Sequence, residues 1–176
     1  MTVDHGPIGK FLQGRDVAYQ AHEGGYYENG IITFRYTAKQ LNIDVSIHYN
    51  ETSSIYTIYA MTQDEFDMKT RSDILEIAAY ANAGCRYGAM IVGEQNEARD
   101  TYNVWFRLTV PGKGEFSPEI LNAMINNACG TLGDYYPALM KVVWGGMSSR
   151  EALKSAFSDQ EDDDRDRAPP PITGYE

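Results

Sequence analysis

Apolar and polar positions alternate most cleanly over residues 42–49, where Ile43, Val45, Ile47 and Tyr49 are interleaved with Asn42, Asp44, Ser46 and His48. A period of two predicts a strand with one face inward and one in water. Before it, Asn29-Gly30 followed by residues 31–36 (IITFRY) reads as a hairpin turn entering a strand. After it, residues 50–53 turn the chain, and residues 54–61 (SIYTIYAM) are apolar on both faces, as an interior strand would be. These three segments predict an antiparallel meander. Residues 8–19 are read as a short helix, and the rest of the first 30 residues is rich in Gly and Tyr with weak periodicity.

The period then changes. Thr62 with Glu65 three residues on is a capping-box pattern, and Ile74, Ile77, Ala78, Ala81 and Cys85 recur at helical spacing as one apolar stripe, ended by Gly84 and Gly88. A second hairpin follows: residues 89–92, a polar loop 93–101, and a strand 102–110. In that strand Tyr102, Val104, Phe106, Leu108 and Val110 share one face, and Trp105 and Arg107 lie on the other. Ser117-Pro118-Glu119 supplies a hydroxyl N-cap, a proline at N1 and an acid in the first turn. The stripe Ile120, Leu121, Met124, Ile125 and Ala128 follows, and Leu132, Tyr136, Leu139, Met140 and Val143 continue it into a second segment that Pro137 should kink or break. Gly145-Gly146 ends that segment, and Ser148 with Glu151 opens a last helix to about Phe157. The order β-β-β-α-β-β-α, with a further helix, predicts an α+β domain over residues 1–157, an antiparallel sheet backed by helices. Residues 158–176, acidic and Pro-rich, are expected to be a disordered tail.

Charge narrows the function. The 176 residues carry a formal net charge of −10, shared equally between the tail and residues 1–157. No basic stripe exists for a phosphate backbone, so nucleic acid is disfavoured as a partner. A polybasic membrane anchor is excluded on the same ground. The opening residues form no apolar signal segment and no 18-residue apolar run occurs, so a cytoplasmic protein is expected. Cys85 and Cys129 read as two buried thiols in a reducing compartment rather than a disulfide.

No reaction chemistry can be assembled. His5 and His22 have no second ligand at metal-site spacing, and His48, with Asp44 on the same strand face, reads as a sheet-face histidine. Asp64, Glu65 and Asp67 crowd an expected helix start, and Glu94, Glu97 and Asp100 lie in a hairpin loop, so neither group predicts a dry cleft. Gly112-Lys113-Gly114 lacks the rest of a P-loop. No cofactor, metal or catalytic residue is expected. The tyrosines concentrated in the first third (Tyr19, Tyr26, Tyr27, Tyr36, Tyr49, Tyr56, Tyr59) read as strand filling or as a protein-binding sheet face.

Residues 117–121 (SPEIL), 134–146 (DYYPALMKVVWGG) and 149–153 (SREAL) resemble the C-terminal half of the YbjN-type family, grouped as bacterial sensory transduction regulators. Residues 79–82 with the hairpin 87–110 also suit that family's helix-then-hairpin arrangement, whereas the glycine-rich N-terminal 30 residues depart from its opening helix. The resemblance implies a type III secretion chaperone-like fold, no enzymatic activity, and an interaction module that is often dimeric. It makes the stretch around Tyr135, Pro137 and Trp144 the first partner or dimer surface to test; Tyr136, Leu139 and Met140 could equally pack on the sheet. The expected function is a chaperone-like or regulatory protein-binding module. The alternative is a small-ligand sensor with a pocket between sheet and helices.

Overall fold

The computed structural model describes residues 6–23, 30–38, 41–50, 55–111 and 117–164. Helix α1 (Gly6–Gln13) is followed by strands β1 (Tyr19–Glu23), β2 (Gly30–Ala38), β3 (Leu41–Asn50) and β4 (Ile55–Met61). A short strand β5 (Phe66–Asp67) and a 3-10 turn (Met68–Thr70) lead into helix α2 (Arg71–Gly84). Strands β6 (Ala89–Val92), β7 (Thr101–Tyr102) and β8 (Val104–Pro111) follow, then α3 (Pro118–Val143) and α4 (Ser149–Asp164). The architecture is α+β: a six-stranded antiparallel sheet in the order β1-β2-β3-β4-β8-β6, with helices packed on it.

The alternation in β3 places Ile43, Val45 and Ile47 at 1% exposure or less. In register beside them lie Ile32 and Phe34 of β2, Ile58 and Ala60 of β4, and Phe106 and Leu108 of β8, all buried. Helix α3 covers this face across β2, β4 and β8, α2 covers β6, and α4 lies on α2 and α3. The doubly apolar β4 is an interior strand between β3 and β8, as its sequence predicts.

Four expectations are corrected. The helix expected over residues 8–19 is shorter, and Tyr19–Glu23 forms an edge strand that extends the meander to four strands. Thr62 and Glu65 cap no helix: the side chain of Asp67 caps the 3-10 turn through the Lys69 N–H, and α2 starts only at Arg71. Glu65 is drawn instead to Arg99 Nη1 (2.6 Å) and to the Thr101 hydroxyl (3.1 Å), bracing the small β5–β7 sheet. Helix α3 runs unbroken through Pro137. The missing donor and ring clash cost about 3 kcal/mol, but Leu132, Ala138 and Leu139 around it are fully buried, and each large side chain returns roughly 1.5–3 kcal/mol. Residue 133, whose carbonyl the proline ring faces, is a buried glycine. Ile120 is half-exposed because it falls about 100° to the side of the stripe formed by Leu121, Ile125, Ala128 and Leu132.

Two helix starts follow their sequence signals. Ser117 accepts the Ile120 N–H (3.3 Å), and the Glu151 carboxylate accepts both the N–H and the hydroxyl of Ser148 (3.1 and 2.7 Å). Replacing Ser117 by alanine is expected to cost about 1 kcal/mol in urea unfolding, and Ser117→Asp to restore it. Helix α4 continues past Phe157 to Asp164, so the acidic segment expected to be tail begins as helix; residues 165–176 lie outside the described residues. No helix among the described residues is long and apolar enough to cross a membrane.

Candidate functional site

The strand register that buries one face presents three cross-strand rows on the other. Gln20, Thr33, Ser46, Tyr59 and Arg107 form the middle row, from β1 to β8. On one side of it run His22, Ile31, His48, Thr57 and Thr109, and on the other Arg35, Asp44, Met61, Trp105 and Ile91. No described helix lies over these rows, because α2, α3 and α4 occupy the opposite face. Nevertheless Tyr59, Met61, Trp105 and Ile91 are half-buried and Ser46 is buried, sheltered by one another.

Two adjoining hollows of about 590 and 260 Å³ share Ser46 and Met61, and together they form a trough across β1 to β8. Its apolar end is walled by Met61, Trp105 and Tyr59. The His48 ring stands edge-on to Tyr59 at 4.8 Å, and its Nε2 is 2.7 Å from the Ser46 hydroxyl. At the polar end, Arg35 Nε donates to Asp44 (3.1 Å), and Gln63 donates to the other carboxylate oxygen (2.9 Å). Asp44 and His48 do share a face, as the sequence indicates, but in different rows and with different partners. Gly93 sets the position of Trp105, since a side chain there would meet the indole ring at 2.6 Å.

The residues singled out by sequence fall elsewhere. Trp144, at the C-cap of α3, is 83% exposed, and Pro137 is exposed seven residues earlier, two turns along the same side. Tyr135 lies about 180° around the helix from Trp144 and does not join them. It stands edge-on to Tyr80 of α2 (6.3 Å) and to Phe157 of α4 (5.1 Å). Leu139 is core. Most of the early tyrosines fill the helix-covered side: Tyr36 donates to Asn126 of α3 (2.7 Å), Gln13 donates to Tyr19, and Tyr49 stacks on Tyr56. Among the described tyrosines of the first third, Tyr59 lies in the middle row of the trough and Tyr19 borders its larger hollow, and Tyr26 and Tyr27 lie outside the described residues.

Two titratable groups are strongly displaced, both away from the trough. Burial, and then the hydrogen bond to Asp64 (2.9 Å), push the Tyr136 phenol up to about 12. Burial likewise pushes the Cys129 thiol up to about 12. Both folded-state values lie above the unfolded ones. Their contribution to stability is therefore fully present below about pH 9 and is lost as pH rises through 12. Alkaline titration followed by circular dichroism should show unfolding in that window, with a shallower pH dependence for Tyr136→Phe. Both cysteines are free, Cys129 buried and Cys85 half-buried. A thiol-reactive dye is expected to label Cys129 only after unfolding. Among the described residues no group of three or more potential ligands is placed to hold a metal ion.

Site and fold together define an α+β protein whose sheet is covered by helices on one face and by no described helix on the other. No protein-family model matches the chain, and no curated protein matches it in sequence. Among solved structures, YbjN from E. coli, described as a candidate transcription regulator, superposes with a TM-score of 0.50 at 8% identity. The match covers 71% of this chain and 82% of that one. This supports the likeness read from residues 117–153 at the level of the fold alone.

Proposed function

We propose that this chain is a non-enzymatic protein-interaction module that holds a partner polypeptide on the open face of its sheet. The observation that carries this reading is the trough itself, where large side chains remain half-buried although no described helix covers them. Six strands about 4.8 Å apart and roughly seven residues long give about 600 Å² of face, close to the ~800 Å² per partner of a specific interface. The partner chemistry follows from the surface: apolar side chains for Met61, Trp105 and Tyr59, on a protein whose overall basicity is steered by a charge of −10. That charge also disfavours direct phosphate contacts. A regulatory role agrees with the description of the E. coli neighbour; action through protein contacts, in the cytoplasm, belongs to the proposal. A chaperone-like role and a homodimer built on this face are finer forms of the same proposal. The small-ligand alternative is weaker because both hollows of the trough open to solvent instead of lying between sheet and helices.

Site-specific photo-cross-linking in cells tests it. A cross-linking side chain at position 59 or 61 should capture a discrete protein adduct, and one at position 123 or 127 of α3 should not. Equal capture from both faces would sink the proposal.

A further inference from the structure

A third hollow, of about 420 Å³, lies between α2 and α4. Tyr80, Leu153 and Phe157 line it, and Ser149 and Arg150 mark its far end. Its aromatic wall is built: Tyr135 stands edge-on to both Tyr80 and Phe157, at 64° and 65°. Tyr80 nevertheless remains 58% exposed. The Ser149 hydroxyl donates to Glu76, and its N–H donates to Asp73 (2.9 Å), so the end of the groove is pinned to α2.

The chain that follows α4 carries the complementary chemistry. Pro169-Pro170-Pro171-Ile172 has no N–H at its three prolines and can extend neither a helix nor an interior strand, but it is set for polyproline II. Polyproline segments are recognised by aromatic-lined grooves, at little ordering cost because they are already extended. The dimensions agree. From Ser149 to Phe157 the groove is about 12 Å long at 1.5 Å per residue, and four polyproline residues span about 12 Å at 3.1 Å each. The reach agrees as well: Asp164 lies about 10 Å beyond Phe157 along α4, and residues 165–168, extended, cover about 13 Å.

We infer that residues 169–172 dock as a polyproline segment in the groove between α2 and α4 of the same molecule. The segment runs antiparallel to α4, with its prolines on Phe157 and Tyr80 and Ile172 toward Ser149. It covers the Tyr80–Tyr135–Phe157 wall, so any partner for that wall must first displace it. This surface is separate from the sheet trough, and its occupation does not depend on the function proposed for that face.

Nuclear Overhauser spectroscopy of the full chain tests this directly. Cross-peaks between proline ring protons of residues 169–171 and the ring protons of Tyr80 and Phe157 are expected. In the full-length P169S/P170S/P171S variant those cross-peaks should vanish and the Tyr80 and Phe157 ring signals should shift, with the core signals unmoved. Absence of the cross-peaks in the unmodified chain, or ring signals unchanged in the variant, overturns the inference. A mixture of isotope-labelled and unlabelled chains separates the occupants. Cross-peaks between labelled and unlabelled molecules would place the segment on a second copy and overturn docking within one molecule.

Discussion

Phe106→Ala is expected to destabilise the protein by about 3–5 kcal/mol, whereas Trp105→Ala, one residue away, should cost about 1 kcal/mol or less. Phe106 is fully buried beneath the helices, so truncating it removes the transfer energy of an aromatic ring and leaves a cavity that a sheet packed on α3 cannot close. Trp105 points the other way, into the trough, where water replaces the lost ring. For a chain of this length the Phe106 loss corresponds to a drop in Tm on the order of 10 °C. Urea unfolding of the two variants side by side checks it. Equal losses would mean that both faces of β8 are covered and that no open face exists.

The second large effect concerns binding. Trp105→Asp is expected to abolish capture of the partner while leaving the urea midpoint near that of the unmodified protein. A carboxylate between Met61 and Ile91 would have to be desolvated by any apolar partner, and burying an unpaired charge costs more than a typical contact returns. Met61→Asp should act in the same way from the neighbouring strand. By contrast, Asn126→Asp on the helix-covered side should leave capture unchanged. Retention of full capture by Trp105→Asp would move the binding surface off the sheet.

Much of this fold is legible locally. The alternation at Ile43, Val45 and Ile47 determines which face of the sheet is core, and Ser117 and the Ser148–Glu151 pair announce their helices within four residues. What is not legible depends on distant chain. Thr62 and Glu65 form a plausible cap in sequence, but Glu65 pairs instead with Arg99 and Thr101, more than 30 residues on. Pro137 is read as a kink or a break, and the buried residues around it hold α3 unbroken. Tyr19–Glu23 alternates for too few residues to stand out from the glycine-rich opening. The trough is the clearest case. The sequence shows Trp105 and Arg107 opposite Phe106, but whether a second layer covers them is decided by where α2, α3 and α4 pack, which no local pattern records. Tyr135 and Trp144, nine residues apart, fall on opposite sides of α3 by helix period alone, once the helix is known to run unbroken through Pro137.

The chain has two tryptophans, one on each candidate surface: Trp105 in the trough and Trp144 at the exposed end of α3. Trp144→Phe and Trp105→Phe therefore yield single-tryptophan proteins that report on one surface each. Titrating the cross-linked partner, once purified, into both is the most direct measurement. Docking on the open sheet face predicts a blue-shifted, quench-protected emission from Trp105 and no change at Trp144. A response from Trp144 with Trp105 unmoved would contradict it.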